Sequence, residues 1–574
     1  MEEIRKEVDE EIELALAFHI ENIQYGDETI IFLGEFIEHF YKNGNFIVGE
    51  NLRPALDILI PKLLEESKLS KRSMDDATFI EKISEAATFA THYYSIRDLI
   101  YYSFALPNSI TWKYEDAKIK IRVQDPTIFR QLAAERISFH LNSLGTGSKF
   151  KGQRPTDLLK ETSNWDLKNP KVVEAFEKIH EEVDIKIAHF FSYITNDSTV
   201  DIGGYKYNEF YEVYKVLLLI SMYERYFSTA NNLTSVLTYV ETDISNQIAE
   251  QIGITQPTVQ KILRDIASSS RGTFIRNKDL KKYYLLSFSF SLKDSIGNVL
   301  KQFARRDSDA FSAECGIIIG NNLVNKVASY FTGFRNFQVL KDIDLQKFSK
   351  HLPDIDVAAI SYEPSFGFHF FISEIKNSLP ASWAKEHLKS IGKKGYIHKA
   401  ITQIEKLKEF FNQSEGINLL KDLCQKTFSN LDFKLLFPNG FMVAVDFLVV
   451  TEQSNGMFFP ELNLNIISDD LLRAIVTKSD GDVNFIKYYL QNMNNILDET
   501  YDKKVIEVLI GKTVISYEAP KMNNFFLIPQ HEYLSVGMLE RLEQESIATG
   551  YTFIDNLPKV NEEKNRNQDK SNKE

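Results

Sequence analysis

Up to about residue 235, apolar residues recur every three or four positions, the interval of one buried helix face. The pattern is clearest in Glu11–Ile23, Ile30–Tyr41 and Val172–Ile194, and it predicts a mostly helical region over 1–235. Inside that region Trp112–Val123 alternates instead, ending in Ile-Lys-Ile-Arg-Val, which predicts a strand or hairpin. Past residue 235 the two periods take turns. Two short helical patterns over 244–266 precede alternation over Tyr283–Leu292, and an amphipathic stretch runs from Glu314 to Tyr330. Asp356–Ile360 and Phe368–Ile375 read as strands joined by a turn at Pro364–Gly367, followed by a helix over Lys399–Leu407 and a strand over Met442–Val450. A multidomain α/β protein is the expectation, with domains over 236–295 and 300–500 and a C-terminal α/β extension over 501–558. The polar tail 559–574 lacks apolar periodicity and is expected to be disordered.

Composition narrows the class. At 574 residues the chain exceeds one hydrophobic core, and 43% apolar with 26% charged residues is ordinary for a soluble globular protein. The longest apolar run, Val216–Met222, is far short of a membrane span, so no membrane partner is expected. The acidic start, Met1-Glu2-Glu3-Ile4-Arg5, lacks the order of a secretion signal, and a cytoplasmic location is the default. Cys315 and Cys424 provide neither a disulfide framework nor a thiolate zinc site. His19, His39, His92, His140, His180 and His189 show no metal-ligand spacing, and Gly145–Lys149 and Gly511-Lys512-Thr513 both miss the first glycine of a phosphate loop.

The net charge of −13 argues against a protein that coats nucleic acid non-specifically. Two basic islands stand out against it. One holds Lys261, Arg264, Arg271, Arg276, Lys278, Lys281 and Lys282; the other holds Lys385, Lys389, Lys393, Lys394, Lys399, Lys406 and Lys408. Each reads either as a solvated helix face or as a nucleic-acid surface.

The first island overlaps residues 244–266. There Ile248, Ala249 and Ile252 would bury one short helix, Gly253 would end it in the left-handed conformation, and Thr255 would cap the next, with Pro257 in its first turn. Val259, Ile262 and Leu263 form the buried stripe of that second helix. Gln256, Thr258, Gln260, Lys261 and Arg264 are left on or near its outer face, where such side chains reach base edges and phosphates. The segment resembles helix-turn-helix families, and the turn at Ser269–Gly272 with the alternation after it fits a wing. The resemblance implies a winged helix over 236–295, serving either DNA recognition or contacts between domains.

The second island follows the residues with most chemistry. Leu-Pro-Asp-Ile-Asp begins at Leu352, and the strand Phe368–Ile375 carries Glu374-Ile375-Lys376 at its end. Alternation puts Glu374 and Lys376 on one face, and antiparallel pairing brings Asp356 beside them. Two carboxylates suit Mg²⁺ (or Mn²⁺), whose charge assists phosphodiester hydrolysis, while a lysine orients water or offsets phosphate charge. These residues, with Pro353-Asp354 just before, resemble the D…ExK signature of the PD-(D/E)XK nuclease superfamily. The resemblance spans about Asp307–Ser468 and implies a restriction-endonuclease-like mixed sheet flanked by helices.

By the same resemblance, Asp356 rather than Asp354 is the metal ligand with Glu374, Glu314 joins them from a preceding helix, and Gln403 stands beside the site. Where related subgroups carry a tyrosine four residues after that glutamine, this chain has Leu407. The implied function is a Mg²⁺-dependent nuclease, a DNA endonuclease of restriction-like or anti-phage defence type, with nucleic acid as partner. A non-catalytic DNA-binding or regulatory protein, with Glu374 and Lys376 as a cross-strand ion pair, is the alternative. A second copy of the chain or a partner protein is left open.

Overall fold

A computed structural model describes residues 2–65, 74–134, 153–292, 296–377, 388–452, 464–522 and 551–555, less 161, 163–165, 167, 192, 365–366, 391 and 393 within them. The tail 559–574, Gly145–Lys149, His140, Lys385 and Lys393 lie outside the described residues. The chain is a multidomain α/β protein that divides into two compact units, with three sheets among the described residues. Unit 1 comprises Met1–Asn322, Asn377–Lys389 and Asp498–Phe525; unit 2 comprises Leu323–Lys376, Ser390–Leu497 and Phe526–Glu574. No helix among the described residues is long and apolar enough to cross a membrane.

Unit 1 opens with α1 (Glu2–Ile23), α2 (Asp27–Lys42) and α3 (Asp76–Ala105). Val8, Ile12, Leu16, Ile20 and Ile23 form the buried stripe of α1. The alternating patch is the hairpin β1 (Ile110–Glu115) and β2 (Lys118–Val123). After α4 (Pro170–Phe190) and α5 (Tyr207–Asn231) come β3 (Val236–Val240), α6 (Glu241–Ile252), α7 (Gln256–Ser269), β4 (Phe274–Asn277) and β5 (Lys282–Leu286). Gly253 ends α6 with φ +70° and its N–H on the Ala249 carbonyl. Thr255 holds the N-cap position of α7, but its hydroxyl pairs with that of Thr258 at 2.8 Å, and no side chain caps the helix.

Residues 236–292 are fastened to α2. Glu35 accepts from the Ser235 and Val236 N–H groups, and the fully buried Glu38 accepts from Phe288 and Ser289. That clamp corrects one expectation. Ser287–Leu292 alternates like a strand, yet it forms a short helix, because the Glu38 carboxylate takes the free N–H groups of its first turn. Residues 1–235 and 236–295 therefore share one compact unit.

Unit 2 is built on a mixed sheet. Its preceding helix α8 (Ile317–Phe331) is followed by β6 (Phe337–Ile343), β7 (Ile355–Glu363) and β8 (Gly367–Lys376), with β7 antiparallel to both β6 and β8. Next come α9 (Tyr396–Phe411) and α10 (Ser414–Thr427), then β9 (Gly440–Thr451) and β10 (Asn465–Ser468), which extend the sheet in parallel beyond β8. Parallel neighbours need a crossover, which α9 and α10 provide. The strand order is β10-β9-β8-β7-β6, and α11 (Asp469–Lys478) and α12 (Val483–Gln491) follow. One face buries Ala358, Ile360, Phe370 and Ile372 against Ala400, Ile404 and Leu407 of α9. On the other face Phe371 stacks on Phe331 of α8 at 6.0 Å.

Gly367 fixes the start of β8. It has φ +106°, and a Cβ there would lie 2.3 Å from the Met442 carbonyl oxygen on β9. Gly367→Ala is expected to cost about 1–3 kcal/mol, read as a lower urea midpoint, because both the backbone and the strand spacing would have to yield.

The stretch 501–558 is not one extension. The hairpin β11 (Tyr501–Ile510) and β12 (Thr513–Met522) joins β2 in the sheet β1-β2-β12-β11, whereas β13 (Tyr551–Asp555) pairs with β9 of unit 2. A strand's edge is completed by any chain segment that reaches it, so sequence order does not fix membership.

Candidate functional site

The β7–β8 hairpin positions the expected chemistry. Val357 pairs with Ser373, which puts Asp356 and Glu374 opposite each other one step further along, and the Ile375 N–H donates to Asp356 Oδ2 at 2.6 Å. Glu374 and Lys376, two apart on β8, share a face. The Lys376 ammonium donates to Glu374 Oε1. Glu374 is only 2% exposed, and its Oε2 is buried without a hydrogen-bond partner. A buried carboxylate oxygen with no donor is costly, and it is the kind of atom a hard cation takes as a ligand.

The electrostatics follow from burial. The Glu374 carboxyl is pushed up to about 7 by desolvation and by the neighbouring Asp356 charge, with Lys376 opposing both. Asp356 is also raised, mainly by burial, although the Ile375 N–H and Lys376 favour its ionised form. Two carboxyls that face each other in a dry site cannot both ionise cheaply, and a cation between them removes that penalty. Asp354 is exposed and accepts from the Leu345 N–H at 3.3 Å.

Glu314 is exposed on a π-helical turn, Ser312–Gly316, and belongs to unit 1, whereas Asp356, Glu374 and Lys376 belong to unit 2. Gln403 is half-buried on α9, and among the described residues no hydrogen bond joins it to the trio. Among those residues no three His, Cys, Asp or Glu side chains form a ready metal-ligand group. Sequence reading passed over Asp342 on β6, whose charge acts on Asp356. The only signal for it was an acid near the end of an apolar strand, which is too common to single out.

On α7 the expected nucleic-acid side chains have partners inside the protein. Gln256 and Gln260 donate to Ser245 Oγ at 3.3 and 3.4 Å, and Thr258 pairs with Thr255. Arg264 is exposed but shares the buried Glu241 with Arg276, and the half-buried Lys261 lies over the Tyr205 ring. Arg271 pairs with Asp57 and Lys282 with Asp27. Much of the first basic island thus neutralises acids of unit 1. In the second, Lys389, Lys394, Lys399 and Lys406 are exposed.

A Lys261→Ala, Arg264→Ala double variant is therefore expected to change the salt slope of DNA binding by less than about 0.9. Loss of two phosphate contacts would instead remove about 1.8. A salt titration of wild type against the variant measures the difference.

A search of family models, curated proteins and solved structures finds no match to this chain.

Proposed function

We propose that unit 2 is a Mg²⁺-dependent nuclease domain of the PD-(D/E)XK type, acting on DNA. The observation that carries the reading is the Asp356–Glu374–Lys376 constellation on adjacent strands, with one Glu374 oxygen buried and partnerless. The sheet order supports it as well. A helix, three antiparallel strands, a crossover helix and a parallel strand give the expected core, with the acids on its second and third strands.

In this reading Asp356 and Glu374 hold the cation. When bound, Mg²⁺ supplies a Lewis acid and offsets charge on the phosphate. Lys376, released from Glu374, donates to a phosphate oxygen or orients the attacking water. The exposed lysines of α9 and the segment before it meet the nucleic-acid backbone. Residues 236–292 are a winged helix in this reading, and the internal pairing of its outer face favours a structural role over base reading.

The test is incubation of the full chain with supercoiled plasmid in Mg²⁺ or in EDTA. Nicked or linear product in Mg²⁺ alone supports the reading. Intact plasmid in both, together with intact single-stranded DNA and RNA, would favour the non-catalytic alternative.

A further inference from the structure

Within unit 2 the candidate site has two inward carboxylates, and Glu314, the expected third, belongs to unit 1. The sheet itself offers another. On β6, Lys341 pairs with Val357 and Ile343 with Ile355; the register skips Asp342, which at φ +51° stands between those pairs, across from Asp356. Asp356 is in turn the neighbour of Glu374. Asp342, Asp356 and Glu374 thus form one row across β6, β7 and β8, with adjacent strands about 4.8 Å apart.

We propose that Asp342 is the third carboxylate of the cation site, holding the ion through an intervening water; this rests on the nuclease reading of unit 2. Asp342 is exposed, at the solvent end of a row whose inner end, Glu374, is 2% exposed. Among the described residues no hydrogen bond or ion pair engages it, while its neighbour Lys341 is turned to Asn325. Its charge reaches Asp356, where it opposes ionisation.

The independent sign of a ligand is the buried Glu374 Oε2, which has no protein partner. A cation that takes this oxygen and one from Asp356 still needs four more, because Mg²⁺ prefers six and keeps several waters. Those waters need acceptors on the open side; of the exposed acids Asp342 and Asp354, Asp354 already accepts from the Leu345 N–H, and Asp342 is unengaged among the described residues. Direct ligation is not required, which agrees with the absence of a ready three-ligand group among the described residues.

The backbone makes the substitution clean. Asp342 has φ +51°, a conformation that Asn adopts as readily as Asp. Asp342→Asn therefore keeps size and backbone while removing the charge.

The experiment titrates the full chain with Mn²⁺ and reads free Mn²⁺ by electron paramagnetic resonance, without any substrate. It compares wild type, Asp342→Asn and Asp356→Asn. In 0.5 M KCl the screening length is about 4 Å, so mere attraction at a distance is suppressed. The expected result is a 10- to 100-fold weaker Kd for Asp342→Asn, the usual effect of losing an outer-sphere partner, with the same melting temperature in EDTA. Asp356→Asn should lose more. If Asp342→Asn binds Mn²⁺ like wild type while Asp356→Asn does not, the role of Asp342 is overturned and the nuclease site stands. A loss seen at low salt that vanishes in 0.5 M KCl overturns it as well. If wild type binds no Mn²⁺, both ideas fail.

Discussion

Asp356→Asn and Glu374→Gln should each abolish Mg²⁺-dependent plasmid cleavage, by at least about 10³-fold, equal to about 4 kcal/mol of transition-state stabilisation. Each removes one anionic oxygen from a site that offers two inward carboxylates among the described residues. Neither change should unfold the protein. Asn at 356 can still accept from the Ile375 N–H, and Gln at 374 keeps the size of the carboxyl and an oxygen that can accept from Lys376. Equal melting temperatures in EDTA together with lost cleavage are the expected pair of observations. Wild-type rates in both variants would show that hydrolysis, if present, happens elsewhere.

Lys376→Met should split two properties that a merely structural lysine would move together. The ammonium sits on Glu374, the oxygen pair that a cation would claim. Removing it should tighten Mn²⁺ binding about tenfold above pH 8.5, where the Glu374 carboxyl is ionised, while cleavage falls by orders of magnitude. In wild type, protons compete for the raised Glu374 carboxyl, so metal affinity should fall as pH drops below about 7. The sign for stability is opposite. A carboxyl raised in the folded state binds more protons there than when unfolded. Stability of the metal-free protein from this group is thus full below about 4.5, is lost as pH rises towards 7, and is constant above it. Added Mg²⁺ should restore it chiefly at the alkaline end. Weaker metal binding in the Lys376→Met variant above pH 8.5 would contradict the competition.

The hairpin with Asp356, Glu374 and Lys376 was legible because its signals are local. An acid opens one apolar strand, a turn follows, and ExK closes the next, so alternation alone fixes the shared face. The α6–α7 turn was legible for the same reason, through Gly253 and Pro257. What could not be read depended on distant partners. Ser287–Leu292 folds as a helix because of Glu38, some 250 residues earlier. The outer face of α7 looked free because nothing nearby shows that Glu241 and Ser245 occupy it. Asp342 acquires meaning only through the β6–β7 register, and Glu314 was chosen by analogy rather than from any feature of its own stretch. The residue types were visible, but their company was not.

The sheet β1-β2-β12-β11 sets a constraint on the order of events during synthesis. Val123 ends β2, and its partner strand begins at Thr513, about 390 residues later. At roughly 5–20 residues per second, a ribosome takes about 20–80 s to deliver that partner. Throughout that interval β2 has one unpaired edge, and by its end unit 2 has been made as far as Leu497. Lys118, Lys120 and Arg122 on β2 are the sort of charges that keep a bare strand edge from pairing with the wrong chain. No single cut can separate the two units either, since the chain leaves unit 1, builds most of unit 2, returns for β11 and β12, and crosses again for β13. A fragment ending near residue 500 would contain every candidate catalytic residue and still lack half of the first sheet.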